Sequence, residues 1–164
     1  MSQDSNSDGW KDEAYKAYVA KWQAHEAEES ERRRQAGKIA IWLDRGPDDA
    51  KTFTREHQIE LHEVVDGLRK QGVELETPFL AVDAVDAVGG YTGQLVISLA
   101  HIASPFLTAA LVAWLKRPGR KVRVEFHPNG MLKTVEAQTD EQVLSIATAL
   151  NQEARARLPK AAKE

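Results

Sequence analysis

Leu95-Val-Ile-Ser-Leu-Ala-His-Ile-Ala-Ser-Pro-Phe-Leu-Thr-Ala-Ala-Leu-Val-Ala-Trp-Leu115 is the stretch on which the fold turns. It lies inside a window, residues 87–115, with no Asp, Glu, Lys or Arg, in a chain that is 29% charged. Lys116, Arg117, Arg120 and Lys121 close it. A segment apolar nearly all round is either the central helix of a small domain or something that leaves water. A bilayer core takes about 20 apolar residues, and a basic flank marks a cytoplasmic end, so length alone admits a membrane span. His101 and Pro105 sit near the middle, beside Ser98, Ser104 and Thr108, and a hairpin pattern begins near Lys121 with almost no linker. These features favour a helix over 95–115 buried in a domain, with membrane contact as the less favoured reading. Pro105 is expected to kink or split that helix, because its ring removes a backbone donor and crowds the preceding turn.

Downstream of the window the pattern is clearest. Lys121-Val-Arg-Val-Glu-Phe126 alternates, placing Val122, Val124 and Phe126 on one face. His127-Pro-Asn-Gly130 is a turn, since Asn-Gly tolerates positive φ, and Met131–Ala137 returns with Val135 and Ala137 facing the same core. Thr139-Asp-Glu-Gln142 reads as a capping box opening a helix that buries Val143, Ile146, Ala147 and Leu150. Pro159 follows the end of that helix, and residues 159–164 are a solvated tail.

Upstream, Lys38-Ile-Ala-Ile-Trp-Leu-Asp44 is a strand, and Arg45–Asp49 a loop. A helix from Arg55 to Gln71 is capped by Thr54, ends at Gly72 and buries Leu61, Val64, Val65 and Leu68. His57 and His62 are five apart, which does not suit a helical metal pair, and both are expected at the surface or half-buried. Val73–Val82 begins as a strand that Pro78 confines to an edge or ends. Gly89-Gly-Tyr-Thr-Gly93 lacks the Lys-Ser/Thr ending of a phosphate loop and reads as a lead-in. The fold class is therefore α+β: a small mixed sheet of about four strands packed against two or three helices, plus an extra N-terminal helix.

That extra helix covers residues 9–35 within a charged extension, 1–36, ahead of a single domain over 37–158. Tyr15, Tyr18, Val19 and Trp22 recur at spacings of three and four, forming a narrow apolar stripe amid charge. The stripe either packs on the parent domain or docks into the groove of a partner. Arg32–Arg34 reads as a helix end rather than a nucleic-acid patch.

Bulk properties narrow the function classes. The formal charge of −3 over 164 residues gives no cause to expect a polyanionic partner, and basic residues form no face interleaved with aromatics, so nucleic-acid binding is disfavoured. Cysteine is absent, which excludes disulfides, thiolate metal sites and cysteine nucleophiles, and fits a cytoplasmic protein. The polar, acidic N-terminus is unlike a signal peptide. No cofactor or metal is implied. Asp83, Asp86 and His101 are the candidate residues for a ligand or cation, or for acid–base chemistry, with His127 as an exposed outlier. Loop solvation is the plainer role for the two carboxylates, and a buried hydrogen bond for His101.

The order of elements from residue 38, with Ala113-Trp-Leu-Lys-Arg117, Val122-Arg-Val-Glu125 and the Asn-Gly turn before Val135-Glu-Ala137, resembles the effector-associated constant component family over roughly residues 38–150. Those are small α+β proteins of bacterial conflict systems, standing as non-enzymatic elements beside proteases, caspase-like enzymes and other effectors. No functional residue carries over. The resemblance implies an adaptor or regulatory protein that binds an effector, protease, toxin or sensor. An immunity protein against one toxin, a small-ligand binder or enzyme using His101 with Asp83 and Asp86, and an oligomer all stay open.

Overall fold

The charge-free run divides into two elements, not one helix. In the computed structural model, which describes residues 9–51, 53–80, 90–127 and 132–157, Gln94–Ser98 is a β-strand and only Pro105–Trp114 is α-helix. A 3₁₀ turn, Leu99–His101, joins them, and the Ser98 hydroxyl accepts from the Ala100 N–H. This corrects the expectation of a helix over 95–115, kinked or split at Pro105: its first part is a strand. Val96 and Ile97 are β-branched and favour extended backbone. Pro105 does not kink a helix; it opens one, at the position where its missing N–H would have no partner anyway. Among the described residues no helix is long and apolar enough to cross a membrane.

The elements run α1 Gly9–Gln35, β1 Lys38–Asp44, α2 Arg55–Lys70, β2 Leu75–Glu76, β3 Phe79–Leu80, β4 Gly90–Tyr91, β5 Gln94–Ser98, α3 Pro105–Trp114, β6 Lys121–Phe126, β7 Lys133–Ala137 and α4 Asp140–Arg157. Five strands form an antiparallel sheet in the order β2-β5-β1-β6-β7, and β3 pairs with β4 in a separate ribbon. The architecture is α+β. Strand β2 is an edge strand that stops just before Pro78, which could not donate to a ladder.

One face of the sheet carries the core. Ile39, Ile41 and Leu43 of β1 line up with Ile97 and Leu95 of β5 and with Val124 and Val122 of β6. They join one cluster with Leu61, Val65 and Leu68 of α2, Leu107, Leu111 and Trp114 of α3, and Val143, Ile146 and Leu150 of α4. Each fully buried aliphatic side chain contributes about 1.5–3 kcal/mol by leaving water. Helix α2 ends as expected: Gly72 takes φ +81°, and Val73 N–H returns to the Leu68 carbonyl. The Thr54 hydroxyl, expected to cap α2, instead donates to the Lys51 carbonyl at 2.6 Å. The capping box of α4 is present in both directions. Gln142 N–H donates to Thr139 Oγ1 at 3.3 Å, and Gln142 Oε1 accepts from Thr139 N–H at 3.2 Å. The β6–β7 register holds Val122 opposite Ala137 and Val124 opposite Val135, while the Asn129-Gly130 turn lies outside the described residues.

Candidate functional site

The other face of the sheet is where chemistry is left unfinished. Side chains alternate across a strand, so β1 turns Ala40 and Trp42 to this face, β5 turns Gln94 and Val96, and β6 turns Arg123 and Glu125. The C-terminal part of α1 lies over it. Two ties hold the helix there. Ser30 Oγ and His127 Nε2 share a hydrogen bond of 3.2 Å, and Arg33 bridges Glu26 at 2.8 Å and Glu125 at 3.4 Å. His127, expected to be exposed, is thus half-buried as an anchor for α1. Burial pushes the Glu125 carboxyl up from its ordinary range, against the nearby Arg33 cation.

Between α1 and the sheet a cleft of about 620 Å³ remains, walled by Trp22 and Glu26 of α1, by Trp42 and Gln94 on the strands, and by Pro78 at the rim. Trp42 and Gln94 are direct cross-strand partners. The Trp42 indole Nε1 and the Gln94 amide Nε2 are buried without a hydrogen-bond partner, and no other buried side-chain nitrogen or oxygen among the described residues lacks one. Gln94 is only 6% exposed. An unmet buried donor costs about 1–3 kcal/mol, so two of them on neighbouring strands are an expense the fold alone does not explain. Sequence reasoning missed both residues, because they meet only through strand pairing.

Farther along α1 the aromatic stripe stands free. Tyr15 is 68% exposed, Tyr18 67% and Trp22 55%, whereas Val19 is half-buried. The helix itself is supported by spaced ion pairs, Arg32 with Glu29 and Arg34 with Glu31. Trp22 belongs to both features, since it ends the stripe and walls the cleft.

A second opening, of about 540 Å³, runs between α2 and α3 over Val64, Leu68, Ala110 and Trp114. At its end lies a charged knot. Arg120, nearly fully buried, donates to both oxygens of Asp49 at 2.7 and 3.0 Å and reaches Glu60, which Arg117 also meets at 2.7 Å. His57 is buried here with its ring edge-on to Trp114, 5.8 Å between centroids, which corrects the expectation of a surface or half-buried histidine. Burial holds its pKa below the usual histidine value. His62 is exposed and stacks 4.3 Å from the Tyr91 ring.

Of the residues singled out for acid–base or cation chemistry, only His101 and His127 lie among the described residues. His101 is half-exposed in the 3₁₀ turn, 3.8 Å from Glu74, and is not the buried helical histidine expected. Asp83 and Asp86 lie outside the described residues. Among the described residues no group of three or more His, Asp or Glu is placed to hold a metal ion. Comparison with protein-family models, with curated proteins and with solved structures returned no match, so the reading of function rests on this chain's own side chains.

Proposed function

We propose that this chain is a non-enzymatic interaction module that captures a protein partner through the free part of α1, with Tyr15, Tyr18, Val19 and Trp22 as its contact residues. The observation that carries this reading is the exposure of three large aromatic side chains, 55–68% each, along one helix edge. Tyr and Trp supply rigid, amphipathic contact area and dominate the energetics of interfaces. The ordered anchoring of the C-terminal part of α1 supports it as well, because a helix held at one end presents its stripe without an ordering cost. An adaptor beside an effector, protease or toxin, of the kind the effector-associated constant component resemblance implies, is the setting this proposal favours.

The test compares the full chain with a Tyr15→Ser/Tyr18→Ser variant, which leaves Glu26, Ser30 and Arg33 in place. Affinity capture from the native cell identifies a stoichiometric partner, and titration calorimetry with that purified partner measures the loss. Binding at least tenfold weaker with an unchanged far-UV circular dichroism spectrum is expected. Equal binding by the variant removes the stripe from the interface. One-to-one binding that neutralises a toxin without a third component would single out the immunity-protein form.

A further inference from the structure

Two apolar features of this molecule have complementary shapes, and neither can serve the other within one chain. The groove between α2 and α3 is floored by Val64, Leu68, Ala110 and Trp114, and its walls are low. Gly67 on α2 and Ala109 and Ala113 on α3 are small and exposed, with Phe106 46% exposed at one end. Gly67 is the informative residue. Glycine inside a helix is less stable than alanine, and a Cβ at Gly67 would meet nothing within 4 Å. Nothing inside the chain requires a glycine there, whereas close approach by a second helix does. Helix α1 shows the reverse relief: Tyr15, Tyr18 and Trp22 project from it into solvent. The sheet stands between the two features, since α2 and α3 join the core face while α1 is tied to Glu125 on the other. A stripe therefore cannot reach the groove of its own chain.

We infer that the α1 stripe of one copy of this chain docks in the α2–α3 groove of a second copy, setting Tyr15, Tyr18 and Trp22 against Gly67, Ala109 and Ala113. The lengths agree: at about 1.5 Å per residue, Tyr15 to Trp22 spans about 10 Å and Phe106 to Arg117 about 16 Å. The charges agree as well. Lys16 and Lys21 are exposed on either side of the stripe, and the exposed Glu63 stands on the α2 wall. One lysine edge thus meets acid, and the other lies over an α3 wall that carries no charge before Lys116. Three aromatic side chains more than half exposed offer roughly 100–150 Å² each, the scale of a weak, reversible contact. Because stripe and groove are different patches, the contact is head-to-tail, and copies add in a row unless the rotation closes a ring. This inference rests on the stripe reading and names a partner for the stripe; an open row still ends in one free stripe that an effector can take.

The test is sedimentation equilibrium of the full chain from micromolar to millimolar concentration, beside two variants. Tyr15→Ser/Tyr18→Ser breaks the stripe, and Gly67→Gln/Ala113→Gln fills the groove at two exposed helical positions. The parent is expected to rise above the monomer mass and past the dimer, and each variant alone to associate at least tenfold more weakly. Mixed in equal amounts, the two variants keep one intact stripe and one intact groove between them, so they should form a dimer and nothing larger. That dimer also shows that both variants are folded. Three outcomes overturn the inference: a parent monomeric at millimolar concentration, a groove variant that associates like the parent, or variants that stay monomeric when mixed. Each of these leaves the stripe reading to its own test, in which Tyr15→Ser/Tyr18→Ser is measured against a partner captured from the cell.

Discussion

The guanidinium carbon of Arg120 lies 3.9 Å from the ring centroid of Trp114, while the same group forks onto both oxygens of Asp49. It ties the loop after β1 to the start of β6 and seals the end of α3. Arg120→Met would leave the buried Asp49 carboxylate with only the exposed Arg117, 3.7 Å away, in place of its forked partner, at a cost of up to about 3–5 kcal/mol. Arg120→Lys keeps the charge and loses the fork, so its cost falls between parent and Met. Urea unfolding of the three proteins checks the order. A Met variant as stable as the parent would show that the knot is dispensable.

Acid should reveal the same knot. The Arg120 hydrogen bond is the largest influence on Asp49 and draws its carboxyl down to about 2. A folded-state pKa below the unfolded value gives stability that is complete above the unfolded pKa, near 4, and is lost as the pH falls through the folded value. The amount is on the order of 2 kcal/mol. Stability measured from pH 5 downward should decline less steeply in Asp49→Asn than in the parent. Parallel curves would contradict the assignment.

His57 predicts a second limb, nearer neutrality. Burial lowers its pKa, Arg120 and Arg45 push the same way, and Glu60 and Asp49 oppose them. The neutral ring is the form the fold prefers, so its contribution is complete above the unfolded pKa of about 6.5 and fades as the pH drops below it. His57→Phe should lack that limb in a stability profile from pH 8 to pH 5. If the parent itself shows no slope there, the burial argument is wrong.

Gln58 acts as a substitute strand. Its Oε1 accepts from Tyr91 N–H at 2.9 Å and its Nε2 donates to the Tyr91 carbonyl at 2.8 Å, closing the backbone of β4 onto α2. A Cβ on Gly90 would stand 2.0 Å from Gln58 Oε1. Gly90→Ala is therefore expected to cost about 1–3 kcal/mol by displacing the amide. In a Gln58→Ala background the same substitution should cost much less, and a double-mutant cycle measures the difference. Additive costs would mean that the clamp and the glycine are unrelated.

Pro105 offers a direct check on where α3 begins. At the first helical position its φ is already suitable and no hydrogen bond is lost, so Pro105→Ala should change stability by less than about 1 kcal/mol. A kinked helix across 95–115 would instead be straightened and visibly stabilised by the change, since an internal proline costs about 3 kcal/mol.

Elements with a period are legible in this chain, and elements without one are not. Strand β6 alternates because one face meets the core and the other meets α1 and solvent, and α4 announces itself through Thr139 and Gln142. Strand β5 is buried on both faces, with Leu95, Val96 and Ile97 all in contact with protein, so its apolar residues run without alternation into those of α3. A continuous apolar run does not distinguish a central strand from a buried helix. The signals present were the β-branched Val96-Ile97 pair and a proline preceded by Ser104, which mark a boundary. The stripe on α1 was legible from spacing alone. The cleft was not, because Trp42 and Gln94 come from distant parts of the chain.

The strand order also governs when this protein can fold. Strand β1, at the centre of the sheet, has no partner nearby in sequence: Trp42 pairs with Gln94, and Ala40 with Glu125. Those neighbours lie roughly 50 to 85 residues downstream, and loops of that length must close before any contact offsets their entropy. During synthesis the emerging β1, with Ile39, Ile41 and Leu43 uncovered, must wait for β5 and then β6 to leave the ribosome. Completion of the sheet is therefore late, and refolding belongs with the slower, long-range topologies, not with the microsecond helical bundles that four helices would otherwise suggest.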